Sequence, residues 1–251
     1  MSFSVGSDAD LWHCQYMSNT DFLHIDEVCR LRDGFTMEVS IDEPRLGASR
    51  RASILLLSPI FGVDPVFSRT MREWAAVGYR AIAPDYFARV FPGPVPHTDE
   101  GFHKAIGRVK AVDRELLLVD LKEMASRFAN DGPFFIGGYC AGGEPALRLA
   151  IDGIGRGCVI FHAARLGHYS DRLAKIASPL DIHFGGADTL VPMEEVERVR
   201  AGAADNPNIS ITIHPNAVHG FTQDGSRNFQ REAAASSFAA ARTVLDQTLA
   251  H

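Results

Sequence analysis

One stretch limits the possible folds more than any other. Phe134-Phe135-Ile136-Gly137-Gly138-Tyr139-Cys140-Ala141-Gly142-Gly143-Glu144-Pro145-Ala146-Leu147 runs from a short apolar segment, through glycines and a single thiol, into a helical pattern. The frame Gly138-x-Cys140-x-Gly142 reads as strand, tight turn and helix with the thiol at the apex, a nucleophile elbow with cysteine in place of serine. Such a turn strains the backbone of the apical residue, and side chains two residues to either side would clash, so glycine is required there. The thiol then sits at the positive end of the following helix, which favours thiolate over thiol. An isolated cysteine after a core strand is more often just a small buried residue. Strand, glycine frame and helix together turn the balance towards a nucleophile. Nucleotide-binding loops fit less well: the dinucleotide pattern needs glycine where Tyr139 stands, and the phosphate-loop pattern needs a Gly-Lys-Ser/Thr that is absent.

The rest of the chain alternates strand and helix patterns around this stretch. Residues 52–58 form a continuous apolar run, suited to a strand buried on both faces. The loop Pro59-Ile60-Phe61-Gly62-Val63 and a helical stretch to about residue 77 follow. A second strand at 79–84 ends in Asp85-Tyr86-Phe87-Ala88-Arg89, and a Pro/Gly/His loop runs to about residue 97. Residues 112–130 read as a long amphipathic helix, 134–137 as the strand before the elbow and 142–151 as the helix after it. Further strands are expected at 158–161, before His162-Ala163-Ala164-Arg165; at 180–184, before Gly185-Gly186-Ala187-Asp188; and at 209–213, before a loop carrying His219. Residues 193–203 and 231–249 read as helices. Upstream, 24–40 carries short β-like runs around Asp33-Gly34, a hairpin signal, and 44–51 a charged loop. Residues 1–23 are expected to be an N-terminal extension to a single domain at 24–251. The fold class is therefore α/β, a mostly parallel sheet with helices on both faces. Ligands in such sheets bind beyond the carboxyl ends of the strands, where Cys140, Asp188, His219, Ile60, Arg89 and Arg165 all fall.

Composition narrows the function. With 251 residues, 46% of them hydrophobic, the chain can bury a sizeable core. A net charge of -6 without any basic run argues against nucleic acid as a partner. No apolar stretch is long enough to span a bilayer, and the N-terminus lacks the basic-then-apolar order of a secretory signal. The cysteines at 14, 29, 140 and 158 show no Cys-x-x-Cys spacing, so a reduced, cytoplasmic protein is expected. No pair matches His-Glu-x-x-His, and no metal or cofactor is expected. A monomer or weak homo-oligomer is the expected state.

A thiol nucleophile needs a base, and the base an orienting acceptor. Of the ten histidines, His219 in Asn216-Ala217-Val218-His219-Gly220-Phe221 is the best placed, after the last strand. His183 falls mid-strand, His214 abuts Pro215, and His162 follows the strand after the elbow. Asp188 supplies the acid, although a turn or helix-capping role suits it equally well in isolation. The order nucleophile, acid, histidine is that of the α/β-hydrolase fold.

These segments resemble the dienelactone hydrolase family of α/β-hydrolases. The similarity rests on Gly138-Tyr139-Cys140-Ala141-Gly142-Gly143, Ile60-Phe61-Gly62-Val63, Pro84-Asp85-Tyr86-Phe87-Ala88-Arg89 and Ala217-Val218-His219-Gly220-Phe221, in the family's order, over roughly residue 24 to the C-terminus. The resemblance implies a carboxymethylenebutenolidase-like hydrolase that cleaves a small ester or lactone without a cofactor, through a thioester acyl-enzyme. It implies Cys140 as nucleophile, His219 as base and then acid, Asp188 as orienting carboxylate, and the backbone N–H groups of Ile60 and Ala141 as oxyanion hole. Two positions depart from the family. Its glutamate before Ile-Phe-Gly is Pro59 here, which leaves thiol activation to His219 and the helix end unless Glu144 substitutes. Its arginine four residues after the histidine is Gln223 here, while Arg89 matches its other anion-binding arginine. Arg165 is expected beside Gln223, where it would restore the missing cation. The alternatives are a broader carboxylesterase or thioesterase with the same machinery, and a non-catalytic ligand-binding member of the fold.

Overall fold

Residues 22–44 and 50–250 are described by the structure, a computed structural model. The expected extension at 1–23 lies outside the described residues except for its last two, as does most of the loop at 44–51. Strands β1 (His24–Arg30) and β2 (Thr36–Asp42) form the hairpin expected around Asp33-Gly34. Gly34 adopts a left-handed φ of 89°, and the Phe35 N–H donates to Asp33 Oδ1 at 2.9 Å. The chain then alternates: β3 (Ala52–Leu57), α1 (Pro65–Ala76), β4 (Tyr79–Pro84), α2 (Asp99–Ala111), α3 (Arg114–Phe128), β5 (Phe134–Tyr139), α4 (Gly143–Ile151), β6 (Cys158–Phe161), β7 (Leu180–Gly185), α5 (Met193–Ala203), β8 (Ile209–His214) and α6 (Arg231–Leu249). A ten-residue 3-10 segment, Leu166–Lys175, joins β6 to β7.

One eight-stranded sheet results, in the order β1-β2-β4-β3-β5-β6-β7-β8. From β4 through β8 all neighbours are parallel, and only β2 pairs antiparallel, with β1 and β4. The chain runs outward from β3 to β4, then crosses back to place β5 on the other side of β3. The order reverses between β3 and β5, and at such a switch point the loops beyond the carboxyl ends diverge and leave a crevice.

Period-two side-chain alternation sorts the core into two layers. Leu55, Leu57, Ile136 and Ile160 point to one face and pack with Leu121, Met124, Leu147 and Val196, from α3, α4 and α5. Ile54, Leu56, Phe135 and Phe161 point to the other and pack with Met71, Trp74, Ala241 and Leu245, from α1 and α6. Trp74 is completely buried and donates its indole N–H to the Tyr139 hydroxyl at 2.9 Å, while Tyr139 stacks on Phe161 with ring centroids 4.6 Å apart. The residue that precedes the thiol is thus anchored from below. Among the described residues, no helix is long and apolar enough to cross a membrane.

The elements expected from the sequence recur with ends moved by a residue or two, and two were not expected, α2 and the 3-10 segment Leu166–Lys175. Helix α2 occupies a stretch for which no element was expected. Its signals exist: Thr98 caps the first turn by accepting from the Gly101 N–H at 3.1 Å, Asp99 and Glu100 follow, and Arg108 and Lys110 sit in the last turn. Gly101 and Gly107 break the apolar periodicity that would have revealed it.

Candidate active site

Cys140 stands at the end of β5 with φ at 51°, in the left-handed region, and a single 3-10 turn, Cys140–Gly142, leads into α4. A Cβ on Gly138 would come within 2.6 Å of both the Gly142 carbonyl oxygen and the Ala146 Cβ, so the strand and helix can close on each other only over glycine. The turn leaves Cys140 half-buried at the start of α4.

His219 meets the thiol from the loop after β8. Its Nε2 lies 3.0 Å from Cys140 Sγ, and its Nδ1 lies 2.7 Å from Asp188 Oδ2. The Asp188 carboxylate has two duties. Oδ1 accepts the N–H groups of Leu190 and Val191 at 2.8 and 3.2 Å, shaping the turn after β7, while Oδ2 faces the histidine. The contacts that shape the turn and the contact with His219 thus coexist on one residue. Burial works against charge on His219, but its bonds to Asp188 and Cys140 outweigh that and push the imidazole up to about 10.

The acid and histidine loops are joined backbone to backbone. The N–H groups of Gly186 and Ala187 donate to the carbonyls of His214 and Ala217 at 2.7 and 2.9 Å, and a Cβ on Gly186 would lie 2.5 Å from the Pro215 carbonyl oxygen. Asn228 donates to the His219 carbonyl at 2.9 Å, and the Gln230 side chain brackets the loop by accepting from the Val218 N–H and donating to the Asn216 carbonyl. Of the competing histidines, His183 pairs with Asp181 at 2.8 Å inside the sheet and His214 lies 3.3 Å from His183. His162 is fully buried, with φ at 41°, and its Nε2 lies 2.8 Å from Thr222 Oγ1 on the histidine loop. Burial, together with the neighbouring His219, holds its imidazole well below the usual histidine range.

Ile60 follows β3 and Ala141 follows the thiol, so both expected oxyanion donors border the crevice at the switch point. Two side chains that the sequence reading missed hold the Ile60 loop. Tyr86 donates its hydroxyl to the Ser58 carbonyl at 2.7 Å. Arg108, from α2, is buried and donates to the Ile60 carbonyl through Nε at 3.0 Å and Nη2 at 2.5 Å, and to the Gly93 carbonyl at 2.8 Å. Its guanidinium also stacks over Phe87 at 4.2 Å.

The residues considered for thiol activation and anion binding have other partners. Pro59 is buried in the Ile60 loop. The Glu144 carboxylate receives Arg165 Nε at 2.8 Å and the Tyr169 hydroxyl at 2.9 Å, with Arg114 Nε at 3.3 Å. Arg89 donates to Asp120 at 2.6 and 2.9 Å and to Asp33 at 2.6 Å, over the Phe35 ring at 4.2 Å. Gln223 lies beside Gly220, one residue past His219, and its backbone N–H donates to the Gly220 carbonyl.

Comparison with known proteins identifies the family and the fold. The model of the dienelactone hydrolase family matches residues 41–249. A carboxymethylenebutenolidase of Pseudomonas putida is 28% identical over 211 residues, covering 81% of this chain and 88% of that protein. Another from Pseudomonas sp. (strain P51) is 27% identical over 186 residues, covering 72% and 78%. Among solved structures, a Klebsiella pneumoniae chain provisionally named a dienelactone hydrolase superposes with a TM-score of 0.76 at 22% identity, covering 90% of this chain and 99% of its own. A dienelactone hydrolase-like promiscuous phosphotriesterase, P91, from metagenomic libraries gives 0.68 at 19% identity, covering 90% and 98%. An α/β-hydrolase sheet with a family match over most of its length makes this chain a hydrolase that belongs to the dienelactone hydrolase family.

Proposed function

We propose that the protein hydrolyses small carboxylic esters or lactones through a Cys140–His219–Asp188 triad and a thioester intermediate. The observation that carries this reading is His219, bonded to Asp188 Oδ2 on one nitrogen and to Cys140 Sγ on the other. A protonated imidazole beside a sulfur at a helix start favours the thiolate, which is the nucleophilic form. Activation therefore rests on His219 and α4, since Pro59 offers no acid and Glu144 is engaged by Arg165, Arg114 and Tyr169.

The steps follow from these positions. The substrate carbonyl oxygen turns towards the N–H groups of Ile60 and Ala141. Cys140 Sγ attacks the carbonyl carbon, forming a C–S bond while the carbonyl electron pair moves onto oxygen. Each donor to that oxyanion contributes about 3–4 kcal/mol to the transition state. On collapse the C–O bond to the leaving alcohol breaks, and His219 Nε2 delivers its proton to the departing oxygen. His219, now neutral, takes a proton from water, and the resulting hydroxide attacks the thioester. The second collapse releases the acid and returns sulfur as thiolate beside the imidazolium. Asp188 keeps the Nδ1–H fixed throughout. A thiol nucleophile of this kind suits the reducing, cytoplasmic setting expected for the chain.

The test is a rapid-quench experiment with p-nitrophenyl acetate. A burst of p-nitrophenol stoichiometric with enzyme is expected, with one acetyl group on the peptide holding Cys140, and Cys140→Ala should lack both. Acetylation elsewhere, or turnover by Cys140→Ala at the wild-type rate, would overturn the assignment.

A further inference from the structure

Between α3, α4 and the loop after β4 lies a shallow cleft, about half of it open to solvent. It begins at Ala141, the residue after Cys140, and at Tyr86. From there Phe87, Val109, Leu117 and Leu118 line it. Because Ala141 lines it, an acyl group on Cys140 sulfur with its oxygen towards the Ala141 N–H would start beside this space. Three charged side chains reach it, Arg114, Glu144 and Arg148, and each already has a protein partner. Arg148 holds Glu115 at 2.7 and 2.8 Å and donates to the Arg114 carbonyl at 2.9 Å. Glu144 holds Arg114 and Arg165.

We propose that this cleft receives an uncharged, apolar acyl group, and that esters whose acyl chain ends in a carboxylate are poor substrates for this enzyme. The inference rests on the hydrolytic reading above and adds the substrate class. Two further observations carry it. The arginine at the family-matched position, Arg89, is bonded to both oxygens of Asp120 and to Asp33. The second family position is a neutral amide, Gln223. A substrate carboxylate entering here would have to compete with a protein carboxylate, Glu144 for Arg114 or Glu115 for Arg148, or lie unpaired against apolar side chains next to Glu144. Either is unfavourable, because an ion that loses water without gaining a partner is heavily penalised. An aliphatic chain meets the opposite balance, since each methylene taken from water into the cleft should raise kcat/KM by about fourfold at most.

A matched series of p-nitrophenyl esters tests this: acetate, butyrate, hexanoate and the hemiester of glutaric acid, whose chain is nearly the shape of hexanoate but ends in a carboxylate. We expect kcat/KM to rise at least about tenfold from acetate to hexanoate, and the glutarate hemiester to fall at least about tenfold below hexanoate. Val109→Trp, which fills the cleft from the half-buried face of α2, should lower the hexanoate-to-acetate ratio about tenfold. Leu118→Phe gives a second variant from the α3 wall, and either is read only if its circular dichroism matches wild type. A flat chain-length profile, a ratio unmoved in the folded variants, or a glutarate hemiester that matches hexanoate would overturn the inference while the Cys140 burst on acetate leaves the triad standing. Absence of any Cys140-dependent burst would remove the hydrolytic reading and this inference with it.

Discussion

The rings of His162 and His219 meet edge to face, 5.3 Å apart at 70°. His162 also ties Thr222, three residues beyond His219, to the end of β6. A non-glycine residue at positive φ with a fully buried ring is costly to maintain, and such strain gathers where geometry must be held. His162 is therefore placed to hold the His219 ring from one side. We expect His162→Ala to lower kcat roughly tenfold, about 1.4 kcal/mol, and His162→Phe to lower it less, because the ring contact survives and only the Thr222 bond is lost. Both variants should bind substrate with KM near wild type. Wild-type kcat in folded His162→Ala would show that the contact orients nothing.

The triad residues should separate in size of effect. His219→Ala should remove most turnover, while Asp188→Asn should cost less, since the carboxylate orients and stabilises without touching substrate. Asp188→Asn can still accept the Leu190 and Val191 N–H groups through its amide oxygen, so the turn survives. Steady-state kinetics on the two variants decides the order, and equal losses would mean that Asp188 does more than orient.

The raised imidazole makes a prediction about stability. The folded value for His219 is about 10 against 6.5 for the free side chain, so its stabilising contribution is fully present below 6.5 and is lost as pH rises towards 10. Thermal melts between pH 7 and 10 should show a steeper fall for wild type than for His219→Gln. Parallel curves would show that the imidazolium is not specially stabilised in the fold.

Cysteine reactivity should follow position. Burial pushes the Cys29 thiol up to about 11 and raises the fully buried Cys158 further, whereas Cys140 is half-buried at a helix start. Among these three, iodoacetamide should modify Cys140 first, with loss of activity in step. Mass mapping that found Cys158 alkylated first with activity intact would contradict the assignment.

Arg108 holds the Ile60 loop from outside the layered core. Arg108→Met keeps the aliphatic stem but removes every donor to the Ile60 and Gly93 carbonyls. We expect kcat to fall about tenfold or more, with Arg108→Lys recovering part of it, and a stability loss of about 1–3 kcal/mol for the carbonyls left unpaired. A Met variant that lost stability but kept kcat would confine Arg108 to a structural role.

Most of the sheet was legible because strands buried on both faces are continuous apolar runs, and the elbow because only glycine fits at 138 and 142. The His219 loop was legible from chain order alone. Three things were not. Helix α2 was hidden by Gly101 and Gly107 despite its Thr98 cap. The anchoring of Ile60 by Arg108 spans 48 residues and exists only once α2 has docked. The partners of Arg89 and Arg165 also depend on tertiary placement. Asp33 lies 56 residues from Arg89 at the tip of a hairpin, and Glu144 reads as a helix-start acid until the 3-10 segment after β6 brings Tyr169 and Arg165 onto it.

The backbone bonds from Gly186 and Ala187 to His214 and Ala217 close a ring in the chain. Everything between them, α5 and its flanking turns included, leaves and returns to one fixed point. Lengthening a segment whose ends are already clamped costs little, since closure entropy grows only slowly with length. The exposed outer turns of α5 are therefore a natural graft site, where extra sequence could be carried without changing the separation of Asp188 from His219.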